Sequence, residues 1–183
     1  MFNTPKPPSN IIIETNANIN LIKTNFISLG NSCSFRTLKN EFLKKTLKIA
    51  KNKNLTMETQ LFDWLLTDLN TIVMIFETNN IEELINMNNI SIRSNHVWLK
   101  GCYFKSIHDI KKRHAFNTNQ EYINNIKINF IDKYIRRYYR LINKLSTTDY
   151  LLFMHTGNAD INIINKLIHI FKTKYPLLNF KIV

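Results

Sequence analysis

Cys33 is the residue whose setting most favours chemistry. It closes Phe26-Ile27-Ser28-Leu29-Gly30-Asn31-Ser32-Cys33, an apolar run that stops at a glycine, and a helical pattern follows from Ser34. A thiol at or near a helix start meets unpaired backbone N–H groups and the positive end of the helix dipole, and both favour the thiolate. The same loop, Gly30, Asn31 and Ser32, offers N–H groups that could hold an oxyanion. The competing reading is a small apolar filler, the usual role of an intracellular cysteine. Cys102 sits in a strand-like stretch and reads as structural.

A cysteine nucleophile needs a base, and the chain has five histidines, His96, His108, His114, His155 and His169. His108 is followed by Asp109, which could orient an imidazole. His155 ends the apolar run Asp149–His155, just before Gly157, and is the alternative base. Spacing does not choose between them, because triad partners meet in space and not in sequence. Asp63, in Leu61-Phe62-Asp63-Trp64, is either an ordinary helix N-cap or a carboxylate facing the site, shielded by its aromatic neighbours. Lys133, Arg136, Arg137 and Arg140 crowd the C-terminal half of a long helical pattern. There they suit the helix dipole and a solvated face; Arg136, Arg137 and Arg140 are also candidates for binding an anion. The cysteines and histidines show no zinc-ligand spacing, and the glycine-rich dinucleotide fingerprint is absent, so no metal or cofactor is expected.

The elements that must position these residues follow from hydrophobic period. Asn25–Leu29 reads as a buried strand. A helix from Ser34 carries Phe35, Leu38 and Phe42, and Lys51–Thr59 reads as a loop. The next helix is expected to start at Thr59 or Asp63 and to bury Trp64, Leu65, Leu69, Ile72, Val73 and Phe76. Ile81–Met87 adds another. Residues 90–107 suit two short strands around Gly101. The longest helix spans Asn119–Leu145, with Tyr122, Ile126, Phe130, Tyr134, Tyr138, Leu141 and Leu145 on one face. A strand over Asp149–His155, a helix over Ile161–Lys174 stopped by Pro176, and a strand over Leu178–Val183 form a βαβ unit. The expected fold is therefore α/β: a layered, mostly parallel Rossmann-like sheet flanked by helices. Residues 1–20, with Pro5, Pro7 and Pro8, read as a flexible arm, and 21–183 as one domain.

Composition bounds the rest. At 183 residues and 44% hydrophobic, the chain can bury a core without disulfide staples. Its two cysteines are far apart, Met1–Asn10 is polar and proline-rich, and no apolar run approaches the roughly 20 residues that span a bilayer. These features suggest an intracellular, cytoplasmic protein with free thiols and no membrane partner. The net charge of +12 invites a nucleic-acid reading. Against it, the chain is rich in Lys, Asn and Ile, as an AT-rich genome would make it, and its lysines are scattered along the sequence.

Four motifs in order resemble a family described as papain-like cysteine peptidases, with members in bacteria and large DNA viruses. Ile27-Ser28-Leu29-Gly30-Asn31-Ser32-Cys33, with Arg36 and Leu38, is similar to the family's strand–Leu-Gly-x-x-Cys–helix opening. Phe62-Asp63-Trp64 is similar to its Pro-Phe-Asp-Trp motif, with Leu61 where proline is usual. Tyr103-Phe104 and His108-Asp109 resemble its His-Asp pair after an aromatic strand. Tyr134–Arg140 before Leu151-Leu152-Phe153 resembles its arginine-containing helix before a strand. The resemblance covers residues 25–183. It implies a hydrolase of peptidase or amidase type acting on a peptide or other acyl substrate. In it Cys33 is the nucleophile, His108 the base, and Asp109 or Asp63 the orienting carboxylate. It also implies an α+β papain-like fold as the alternative to the layered sheet. A second functional reading is a Rossmann-like module that binds phosphate or sugar-phosphate without hydrolysis.

Overall fold

The computed structural model describes residues 26–30, 61–63, 65–106, 108–110, 116–148, 150–155 and 158–183. The N-terminal arm, the helix from Ser34 and the loop at Lys51–Thr59 lie outside them. The described residues form two sheets and four helices. One sheet is parallel, in the order β1 (Phe26–Ser28), β6 (Tyr150–Met154), β7 (Asn179–Ile182), with Ser28 opposite Met154 and Phe153 opposite Ile182. The other is antiparallel, in the order β2 (Leu65–Thr67), β5 (Phe104–Ser106), β4 (His96–Leu99), β3 (Ile90–Arg93).

The protein is thus mixed α/β, and the expectation of a single layered Rossmann sheet is corrected. The βαβ unit forms as read, with α4 (Ile161–Lys174) between β6 and β7. The middle of the chain instead builds a separate antiparallel sheet. Two local features account for this. Leu65–Thr67, read as helix, is a strand, and the helix starts only at α1 (Leu69–Glu77), capped by Asp68, whose carboxylate accepts from Thr71 N at 2.7 Å. Residues 90–106 hold three strands instead of two, because Ser94 and Asn95 both take positive φ (46° and 58°) and make a tight hairpin turn. The short α2 covers Ile81–Leu84 only.

The long helix α3 (Asn119–Thr147) buries Ile126, Phe130, Tyr134, Tyr138, Leu141 and Leu145, as its spacing predicts. It packs on one face of the antiparallel sheet, where Phe104 meets the rings of Phe130 and Tyr134 at 6.0 and 5.3 Å. Helices α1 and α4 pack together and tie the two sheets. A row of rings runs from Phe62 to Phe76 (6.2 Å), on to Phe171 (4.9 Å) and then to Phe153 (4.6 Å). All four are buried, and each such side chain contributes about 2–3 kcal/mol of burial. Lys174, in the last turn of α4, donates to the Phe76 carbonyl at 2.7 Å and satisfies the C-terminal end of α1.

Candidate functional site

The rim where β1 and β6 end brings two of the sequence-derived candidates together. Leu29 N donates to Met154 O at 2.8 Å, and His155 N donates to Val183 O at 2.8 Å, so Gly30 and His155 leave adjacent parallel strands on the same side. The strand-end location expected for active sites in parallel sheets is therefore met by both. Gly30 has φ +74°, and its N–H donates to Ser28 Oγ at 3.1 Å. A methyl group at Gly30 would collide with Cγ2 of Thr67, so the turn after β1 lies directly against the end of β2. Only glycine serves there, for both reasons.

His155 is half-buried, and its Nδ1 is shielded from solvent with no hydrogen-bond partner among the described residues. Burial lowers its pKa below the ordinary value, while the backbone of Leu29 and of Asn158 pulls it partly back. The imidazole is therefore held neutral near neutral pH, the form a general base needs. Thr67 Oγ1 is likewise shielded and without a partner among the described residues. Cys33, Asn31, Ser32, Gly157, His114 and Trp64 lie outside the described residues.

The second group of candidates forms a charged cluster between β5 and α3. Asp109 Oδ1 accepts from Lys133 Nζ at 2.5 Å; Oδ2 accepts from Ser106 Oγ at 2.5 Å and from the Tyr134 hydroxyl at 3.0 Å. Burial would raise this carboxyl. The hydrogen bonds from Lys133 and Ser106, the Lys133 charge and the Tyr134 hydroxyl together outweigh it and hold the carboxyl below its usual range. Tyr134 is pushed upward, by burial first and then by the Asp109 charge. Arg137 lies 5.3 Å from the Tyr134 ring and feels both Asp109 and Asp63; its burial lowers its own pKa. Asp63 is fully buried, in a turn where Leu65 N donates to Phe62 O at 3.3 Å, so it caps no helix. His108 is exposed, and its N–H donates to Ser106 Oγ at 3.4 Å.

Compared with known proteins, the chain matches no family model, no curated protein and no solved structure.

The site's own geometry must then carry any functional reading. Ser106 stands opposite Leu65, and Phe104 opposite Thr67. His108–Asp109 accordingly leave at the Asp63 end of β2, whereas Gly30 touches the other end, at Thr67. Of the remaining histidines, His96 opens β4 with Nδ1 close to the Ser94 carbonyl, and His169 is exposed on α4. Cys102 lies in the turn after β4, and burial, with the Asp68 charge, pushes its thiol up to about 11. Arg136 is exposed and Arg140 half-buried. Among the described residues no group of three or more His, Cys, Asp or Glu could hold a metal ion, and no helix is long and apolar enough to cross a membrane.

Sequence reasoning overlooked Lys133, Tyr134 and Ser106 as partners of Asp109, and grouped Arg137 with Arg136 and Arg140 without expecting it to be buried. A signal for Arg137 did exist. It falls three residues after Tyr134 and four before Leu141, on the stripe of the helix that must face the core.

Proposed function

We propose that the chain is a cysteine-nucleophile hydrolase of peptidase or amidase type, with Cys33 as nucleophile and His155 as base. The observation that carries this is the place of the half-buried His155 on the β1–β6 rim, directly after Met154, whose carbonyl accepts from Leu29 N. Cys33 is three residues beyond Gly30, a tether of at most about 11 Å. His108, the base implied by the family resemblance, is exposed and follows Ser106, which pairs with Leu65, so it remains the alternative base to His155. In this mechanism His155 takes the thiol proton, the sulfur attacks the acyl carbon, and the proton passes to the departing amine. Water, deprotonated by the same imidazole, then cleaves the thioester and restores the thiol. Asp109 is committed to Lys133, Ser106 and Tyr134, so in this reading it supports the scaffold. A reducing, cytoplasmic setting would keep both thiols free.

Brief alkylation with iodoacetamide tests the reading. Cys33 should label at least tenfold faster than Cys102 at pH 7, since a thiol near 11 is almost wholly protonated there. His155→Ala should slow Cys33 labelling and move its rate profile to higher pH, and His108→Ala should not. On a peptide and ester panel, Cys33→Ala and His155→Ala should each cost about 10²-fold or more in turnover. Equal labelling of the two cysteines, or turnover indifferent to both substitutions, would sink the proposal.

One observation favours the second reading, an anion-binding module. Arg137 is buried, and its Nη1 has no hydrogen-bond partner among the described residues, a donor that a phosphate oxygen could meet. Of the three arginines expected to contact an anion, Arg136, Arg137 and Arg140, Arg137 is the buried one. A phosphate titration by NMR that leaves the Arg137 side chain and the Gly30 turn unshifted would remove this role.

A further inference from the structure

The antiparallel sheet has two faces of opposite character. Phe104, Val97, Leu99 and Ile90 point into the core. The alternate positions put Ser91 and Arg93 of β3, His96 and Trp98 of β4, and Lys105 of β5 on the other face. Register brings them side by side: Ser91 opposite Trp98, Arg93 opposite His96, and Trp98 opposite Lys105. With Lys100, Gly101 and Cys102 they line a half-open groove of about 540 Å³. Three fixed cations and a histidine border it, and among the described residues that line it there is no carboxylate. Asp68 is near one end, where it acts on Cys102. Trp98 is the aromatic side chain of the lining. Lys105 Nζ lies 4.6 Å above its ring, and Tyr103, itself exposed, meets it edge-on at 6.2 Å. The indole Nε1–H is shielded and finds no acceptor among the described residues.

We infer that this groove binds single-stranded nucleic acid, one base stacking on Trp98 while Arg93, Lys100 and Lys105 engage flanking phosphates. Each part of the chemistry has a counterpart in the groove. An aromatic side chain supplies the sequence-tolerant stacking that single-strand binders use, and a cationic border follows the backbone. A duplex would present its bases edge-on and leave the ring without a stacking partner. An acidic peptide would use the cations and leave Trp98 unused. The groove is open, which suits a chain passing through better than an enclosed mononucleotide. The cations are scattered in sequence; strand pairing gathers them, so the linear charge pattern concealed them. This face is turned away from α3 and owes nothing to the Cys33–His155 reading.

The test is fluorescence anisotropy of a labelled 15-residue oligothymidine on the full chain. The wild type should bind with Kd below about 10⁻⁴ M at 50 mM KCl, and affinity should fall with salt. Trp98→Ala should weaken binding about tenfold, the scale of one lost base stack. Because Trp98 is half-buried, Arg93→Gln and Lys105→Gln serve as charge-removing variants; Arg93 is exposed, and glutamine at position 105 keeps most of the side-chain stem while removing the cation above the ring. Each should lower the log–log salt slope by about 0.7. Absence of binding by the wild type overturns the inference. So does binding unchanged in the Arg93→Gln/Lys105→Gln double variant, which would place the contact elsewhere on a basic chain. Equal affinity for duplex DNA, with no loss in Trp98→Ala, would reduce the groove to a charge patch and overturn it too.

Discussion

Asp109 shows how much one carboxylate can be asked to hold. Three donors converge on it from β5 and α3, and its side chain is only 10% exposed. Breaking a buried ion pair costs about 3–5 kcal/mol, but Lys133 is 24% exposed and can turn to water, so Asp109→Asn should cost about 2 kcal/mol in urea unfolding. The pH dependence has a definite sign. The folded carboxyl sits below its unfolded value of about 3.9, so its stabilisation is present above pH 4 and lost as pH falls through the lower folded value. Unfolding curves between pH 2 and 6 should show that acid loss in the wild type and a smaller one in Asp109→Asn. His155 acts in a higher window. Its folded pKa is depressed, so charging it opposes the fold, and stability should decline as pH drops below about 6.5. His155→Gln should flatten that part of the curve.

At the scale of elements, the hairpin between β3 and β4 is the place where a local rule is strained. Both turn residues take left-handed backbone, yet neither is glycine. Non-glycine residues there cost about 1 kcal/mol each, with Asn the better tolerated. Replacing Ser94-Asn95 with Asn-Gly should raise stability by about 1 kcal/mol, measured as a shift of the urea midpoint at constant slope. The same turn explains what the sequence concealed. Without an Asn-Gly signal, residues 90–107 read as two strands, and the third strand was hidden with the sheet it completes. Leu65–Thr67 was equally opaque, because a short apolar run next to a helix carries no period of its own. Long amphipathic segments were legible: α4 has the bounds its spacing predicts, and α3 runs two residues past its predicted end. The candidate site was legible at His155, through its place at a strand end. The Asp109 cluster was not, since Ser106, Lys133 and Tyr134 meet only after β5 packs on α3.

For the whole molecule, the decisive contact is Gly30 against Thr67, where the parallel sheet's rim touches the antiparallel sheet. Gly30→Ala should cost about 2–4 kcal/mol, combining a strained φ with a methyl collision. Thr67→Ser removes the struck methyl, so the double variant should recover part of that loss and keep the part due to φ. Additive costs in a double-mutant cycle would show that the two sheets do not meet there.

The ring row between the sheets also has a consequence in time. Phe171 is enclosed by Phe76, Phe153 and Phe180, at 4.9, 4.6 and 5.3 Å. A half-turn of its ring about χ2 needs all three neighbours to yield at once, in an interior packed as densely as an organic crystal. The two edges of Phe171 should therefore give separate proton resonances at low temperature, merging on warming. Trimming Phe76 to Leu should lower the merging temperature, so the flip rate of one ring becomes a clock for how tightly α1 and α4 hold the two sheets together.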